Sequence, residues 1–144
     1  MLPRKRVSRL RHEMERRSRR KVTEAALLPR LRRICLRLPG AVETTSWGHP
    51  TFKAGGKTFC VIETYKGHVT LFFKLPAADA AAALRDERFF KSPYVGDERG
   101  VSLIVEGAPD WGEVAELALK SFCETAPDAL RAQLLAKPAS RRKR

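Results

Sequence analysis

The segment Trp47–Lys57 holds the side chains of this chain that are best placed to do chemistry together: an indole, an imidazole and two ammonium groups. Pro50 fixes its own backbone and favours an extended His49, so we expect both rings to lie on a stiff loop. Gly55-Gly56 suits the positive φ angles of a tight hairpin turn. Such a segment offers a ring for stacking and cations for contact with phosphate.

The same segment ends in Gly55-Gly56-Lys57-Thr58, which resembles the end of a nucleotide-binding phosphate loop. That motif requires a glycine five positions before Gly56, where this chain has Thr51, and a helix after the lysine. The residues that follow, Thr58–Ile62, are mostly β-branched or aromatic and favour a strand. We therefore predict a β-hairpin here and no phosphate loop.

Of the three histidines, His49 is the strongest candidate for a functional role. It can be interpreted as a proton-transfer group, a metal ligand or a structural residue. Neither His12 nor His68 stands at a spacing that forms a metal cluster with cysteines or carboxylates. We predict no metal site, no cofactor and no catalytic residue, with His49 hydrogen-bonded inside its own loop. Trp47 is interpreted as a lid on the core, with a base-stacking platform as the alternative.

Three lysines, Lys53, Lys57 and Lys74, are the candidate phosphate contacts of the folded part of the chain. Strand alternation turns Lys53 away from Phe52 and Lys74 away from Phe73, so the ammonium groups should lie on the surface. A solvated sheet rim is an equally good interpretation, because lone lysines are commonly just exposed.

Seven motifs follow one another along the chain: Leu38-Pro39-Gly40-Ala41-Val42-Glu43, Trp47-Gly48-His49-Pro50-Thr51-Phe52, Gly55-Gly56-Lys57, Lys74-Leu75-Pro76, Arg88-Phe89-Phe90, Pro93-Tyr94-Val95-Gly96 and Asp110-Trp111. In these motifs, from about Leu31 to Leu134, the chain resembles the MmcQ/YjbR-like family of small bacterial proteins. The resemblance implies a fold similar to that of the frataxin homologue CyaY, described as a double wing and proposed to bind DNA. It implies no enzymatic activity and no cofactor.

The chain departs from the family pattern at Val101, where relatives often have Trp, and at Asp128 and Ala129, where relatives are often basic. A long basic N-terminal arm is a further departure. The departure at Val101 removes an aromatic ring, and the departure at Asp128 and Ala129 removes positive charge, from the domain expected to touch DNA.

Other candidates lie outside the hairpin. Tyr94 and Arg99 flank a loop that can form the second wing, and Tyr94 can also line a pocket with Trp47 and His49. Arg30 and Arg33 belong to a cationic face of the first helix. Iron binding on this helix would require carboxylates, because hard cations take oxygen ligands. The helix has arginines instead, so we expect no iron binding.

The net charge of +13 lies in the two ends of the chain. Residues 1–22 carry +8 and residues 137–144 carry +5, which leaves residues 23–136 neutral. We therefore expect one domain over residues 23–136, between a basic N-terminal arm and a basic C-terminal tail. The arms should dominate any affinity for DNA.

The three cysteines, Cys35, Cys60 and Cys123, are widely spaced among apolar neighbours and predict reduced, buried thiols in the cytoplasm. We find no apolar run long enough for a signal peptide or a membrane span. The oligomeric state is left open.

Hydrophobic periodicity predicts an α+β fold, with a mainly antiparallel sheet and helices packed on one face. Predicted helices cover Ala25–Arg37, Pro76–Leu84, Trp111–Glu124 and Pro127–Leu135; predicted strands cover Thr51–Ala54, Lys57–Thr64, His68–Lys74 and Val101–Glu106. Thr23 is the expected N-cap of the first helix, with Pro29 within its first turn or at its true start. Asp110 with Glu113 has the spacing of a capping box before the third helix. Two functions are compatible with this layout. One is non-enzymatic binding of nucleic acid, most simply DNA, by the arms and wings; the other is a small-molecule or protein-partner pocket with incidental arms.

Overall fold

The computed structural model describes residues 22–93 and 99–141, with side chains as far as residue 136. In that part of the chain one antiparallel sheet has the strand order β1-β2-β3-β4-β6-β5. Its strands are β1 (Ala41–Ser46), β2 (His49–Ala54), β3 (Lys57–Tyr65), β4 (His68–Lys74), β5 (Phe89–Lys91) and β6 (Gly100–Val105). The helices are α1 (Glu24–Cys35), α2 (Ala77–Ala83), α3 (Trp111–Thr125) and α4 (Asp128–Arg141). The predicted α+β class is confirmed.

Helix α1 begins at a side-chain cap. Thr23 Oγ1 accepts a hydrogen bond from the Ala26 N–H at 3.1 Å, as its position in the sequence predicts. Pro29 lies in the second turn of the helix, so the expectation that it lies within the first turn or marks the start of the helix is wrong. Burial of Leu31 and Cys35 on the face toward the sheet offsets the backbone hydrogen bond that Pro29 cannot donate.

The structure adds two strands to the predicted set. Strand β1 pairs with β2 along its whole length, although none of its side chains is buried and they show no apolar alternation. Strand β5 has three residues and completes the other edge of the sheet. Strand β2 also begins at His49, two residues before the predicted start, so His49 belongs to a strand and not to a loop.

A β-bulge interrupts the pairing of β2 with β3. Phe52 pairs with Cys60 while Lys53 pairs with Thr58, which leaves Phe59 as an extra residue on β3. Phe59 and Cys60 are both fully buried. The bulge thereby directs two consecutive side chains to the helices, and residues beyond it resume the ordinary alternation.

The helices cover one face of the sheet. Phe59 meets Phe122 of α3 edge to face, with ring centroids 5.7 Å apart. Burial and hydrogen bonding with Cys35 raise the pKa of the Cys60 thiol well above its usual range. Val101 is also fully buried in this core. The presence of Val instead of Trp at position 101 therefore removes no aromatic ring from the sheet face opposite the helices.

Helix α3 is fixed at its start by two acids. Asp110 accepts a hydrogen bond from the Glu113 N–H at 3.1 Å, which confirms the predicted cap. Arg88 then joins Glu113 to Asp86, with N–O distances of 2.8 and 2.7 Å. The guanidinium of Arg88 lowers the pKa of Asp86, and both carboxylates raise the pKa of Arg88. This cluster ties the connection before β5 to α3.

Helix α4 continues to Arg141, beyond the predicted end at Leu135. The first residues of the predicted tail, 137–141, are therefore helical. Residues 1–21 of the predicted arm, residues 142–144 of the tail and Tyr94 lie outside the described residues. The division into arm, domain and tail stays a prediction.

The β2–β3 turn provides a matched test of the fold. Gly55 and Gly56 both have positive φ, 60° and 78°. A Cβ at Gly55 would collide with the ring of Pro127, whereas a Cβ at Gly56 meets nothing within 4 Å. We predict that Gly56→Ala costs about 1 kcal/mol of folding free energy from backbone strain, and that Gly55→Ala costs about 1–3 kcal/mol more from the clash. Equal losses in urea unfolding would contradict this packing of the turn.

Candidate functional site

The face of the sheet opposite the helices carries a groove of about 930 Å³. Its lining comes from the end of β1, the β1–β2 turn, β2, β3 and β4, and from the end of α3: Ser46, Trp47, His49, Thr51, Lys57, Thr58, Val61, Glu63, Phe72, Lys74, Glu124 and Thr125. The floor is formed by residues that alternate with the core residues, such as Val61 and Phe72, which are register partners. We call this surface the open-face groove.

Trp47 stands at one end of the groove with 97% of its surface exposed. It forms a two-residue turn with Gly48, and both have positive φ, 54° and 82°. Left-handed backbone at a non-glycine residue costs about 1 kcal/mol, so this turn projects the indole outward at some cost. The interpretation of Trp47 as a lid on the core is wrong, because it covers none of the core.

His49 and Glu63 meet on the floor next to this turn, with 3.5 Å between His49 Nε2 and Glu63 Oε1. The Glu63 side chain is only 6% exposed, whereas that of His49 is 33% exposed. The Thr51 hydroxyl donates a hydrogen bond to the His49 carbonyl at 3.0 Å. A buried carboxylate is costly unless it has a cation or hydrogen-bond donors, and His49 is its one partner within the described residues.

The predicted lysines converge at the other end of the same face. Lys57 and Lys74 line the groove, and Lys53 lies beside it, opposite Thr58 in the strand register. From Thr58 to Glu63 the strand rises roughly 16 Å. The two ends of the groove therefore differ in chemistry, with an aromatic ring and a carboxylate at one end and ammonium groups at the other.

The predicted arginines do not join this cluster. Arg99 lies at the rim, where its guanidinium is bonded to Glu124. Arg30 lies over the ring of Trp111 at 5.6 Å, and exposed Arg33 follows it on α1. Helix α1 packs on the other face of the sheet, so neither arginine faces the groove. Tyr94 lies outside the described residues, and the roles assigned to all these residues stay predictions.

Glu63, Val61 and Phe72 are groove residues that sequence reasoning missed. One signal was present: Glu63 is the single acid of its strand and directly follows the apolar run Phe59–Ile62, two residues after Val61 and hence on the same face. No pattern in the sequence joins it to His49, because that contact depends on the pairing of β2 with β3.

Among the described residues, no group of three or more His, Cys, Asp or Glu side chains is arranged to hold a metal ion. None of the helices found there is long and apolar enough to span a membrane.

The six-stranded antiparallel sheet with helices on one face is an α+β architecture. The YjbR family model matches residues 36–124, and the chain belongs to this family. The structure is similar to the crystal structure of a Deinococcus radiodurans protein with a domain of the family DUF419, with a TM-score of 0.58 and 16% identity. That match covers 66% of this chain and 75% of the other, and it supports the fold alone. No curated protein matches the sequence.

The contact between His49 and Glu63 can be tested by a double-mutant cycle on stability. Removal of the imidazole by His49→Ala leaves the Glu63 carboxylate buried without that partner, while Glu63→Gln removes the charge itself. We predict a coupling of about 1 kcal/mol between the two changes in chemical unfolding. The control combines His49→Ala with Glu116→Gln on exposed α3 surface, and this pair should be additive. Additivity of the His49 and Glu63 changes would disprove the contact.

Proposed function

We propose that this YjbR-family protein is a non-enzymatic nucleic-acid-binding protein of the cytoplasm, which binds DNA across the open-face groove. The observation that supports this most is the exposed indole of Trp47 at one end of a groove that has lysines at the other. A groove that combines an exposed aromatic ring for stacking with cations for the backbone is what proteins use to bind single-stranded nucleic acid.

Stacking explains an otherwise unfavourable arrangement at Trp47. The ring gains nothing from burial in the core and stands on left-handed backbone. A base stacked on an exposed indole contributes about 1–3 kcal/mol to binding. The exposure of Trp47 is therefore a feature that a nucleic-acid partner accounts for and that the fold does not require.

The lysines and the basic ends supply the attraction to phosphate. Lys53, Lys57 and Lys74 lie on or beside the groove, where they can contact a strand that follows the sheet. Residues 1–22 and 137–144 carry the entire net charge of the chain and add attraction that is independent of sequence. The domain then orients the nucleic acid, and the ends raise the affinity.

A small-molecule ligand is the second candidate, and the size of the groove favours it. Its volume of about 930 Å³ falls within the range of about 300–1,000 Å³ that is usual for ligand sites, and Val61 and Phe72 give it an apolar floor. The groove lining also carries Glu63 and Glu124 beside its lysines, so it is not uniformly positive.

Removal of the indole tests the proposal. Trp47→Ala should weaken binding of single-stranded DNA by about 5-fold or more, as expected for one lost stacking contact. The melting temperature should not change, because the side chain is exposed. Fluorescence anisotropy with a labelled oligonucleotide measures the affinity. The matched control is Trp111→Phe, which alters the other tryptophan on the helix side and should leave binding intact. Equal affinity of Trp47→Ala and wild type would refute the groove as the binding surface.

The lysines are tested by the salt dependence of binding. Changing Lys53, Lys57 and Lys74 together to Gln should lower the slope of log affinity against log salt by roughly 2 for a single strand. The slope that remains in the triple variant measures the contribution of the basic ends to phosphate binding. A slope unchanged by the triple variant would assign all phosphate contacts to those ends, and no saturable DNA binding by the wild type would favour the small-molecule candidate.

A further inference from the structure

Glu63 is the feature that the proposed function leaves unexplained. A carboxylate repels phosphate, so an acid on the floor of a nucleic-acid groove lowers affinity unless it contacts hydrogen-bond donors. Glu63 is nevertheless buried at that position, with 6% of its side chain exposed and His49 Nε2 at 3.5 Å. That distance is at the long limit for a hydrogen bond, which leaves acceptor capacity on the carboxylate.

We infer that the Trp47 end of the open-face groove is a subsite for one unpaired guanine, with Glu63 as its reader. This inference rests on the proposed function and specifies which nucleotide the groove selects. The base would stack on the indole of Trp47 and turn its Watson–Crick edge toward the Glu63 carboxylate.

The chemistry of the four bases selects guanine. An ionised carboxylate only accepts hydrogen bonds. Guanine presents two adjacent donors, N1–H and N2–H, which match the two carboxylate oxygens. Adenine and cytosine each present one amino group beside an acceptor nitrogen, and thymine presents one donor between two carbonyl oxygens. The other three bases therefore leave a carboxylate oxygen unpaired or opposed by an acceptor.

The guanine must be unpaired, because base pairing occupies the same edge. Proteins that read the Watson–Crick edge bind single strands, loops or flipped bases, and they stack the base on an aromatic ring. The groove has the matching layout, since Lys57 and Lys74 lie at the end away from Glu63 and can contact phosphates of neighbouring nucleotides.

The test measures full-length protein binding to thymine oligonucleotides that carry one central guanine, hypoxanthine, adenine, cytosine or thymine. Hypoxanthine is the sharpest probe, because it lacks only the N2 amino group of guanine. We expect the guanine oligonucleotide to bind about 10-fold more tightly than the hypoxanthine one, which corresponds to one hydrogen bond to a charged acceptor. This comparison uses the wild-type protein and needs no folded variant.

Glu63→Gln then assigns the preference to its residue. The variant should bind guanine and hypoxanthine oligonucleotides equally well, whereas Glu116→Gln, a charge-matched change on α3, should keep the wild-type preference. A guanine preference that survives Glu63→Gln would overturn the inference. Binding that depends on Trp47 but shows no base preference would also overturn it, while leaving the proposed function in place. Absence of saturable binding to every oligonucleotide would overturn both.

Discussion

The hydroxyl of Ser121 joins the helix layer to the sheet at the point where the sheet is irregular. It donates to the Phe59 carbonyl at 2.6 Å and accepts from the Lys74 N–H at 2.8 Å, and Ser121 is fully buried. The Phe59 carbonyl belongs to the bulged residue, and a buried carbonyl left without a partner costs about 1–3 kcal/mol. The Ser121 hydroxyl supplies this carbonyl with a donor.

The two faces of the sheet acquire their separate characters from this bulge. With an extra residue on β3, Phe59 and Cys60 both enter the core, where they meet α3 and α1. Thr58 lies before the bulge and Val61 after it, and both line the groove. Regular alternation through β3 would place either Phe59 or Cys60 on the outer face. The bulge thus permits an apolar core beside a groove that holds a carboxylate and lysines.

Local signals in the sequence predicted much of the fold. Thr23 and Asp110 were identified as caps and Gly55-Gly56 as a hairpin turn, because each is a short-range pattern with a direct physical cause. Strand β1 escaped prediction because it is an edge strand that has no buried side chain and lacks apolar alternation. Its turn into β2 also places Trp47 on left-handed backbone, a conformation that residue type does not suggest.

The sequence predicted the candidate site less completely than the fold. Lys57, Lys74, Trp47 and His49 were chosen from one hairpin and its neighbours, and the structure does bring them to one groove. Glu63 was missed because its contact with His49 depends on strand register, which the unpredicted bulge resets. Arg30 and Arg33 were grouped with the lysines by charge alone, and only packing shows that α1 lies on the other face.

The proposed function makes the open face of the sheet the nucleic-acid-binding surface of this protein. A nitrogen-15 NMR titration of the full-length chain with single-stranded DNA can locate that surface, since each backbone amide and each indole N–H reports separately. We expect the largest shift changes at the Trp47 indole and at the amides of Val61, Glu63 and Phe72, with α1 little affected. Shift changes confined to α1 or to the basic ends would show that the open face is not the binding surface.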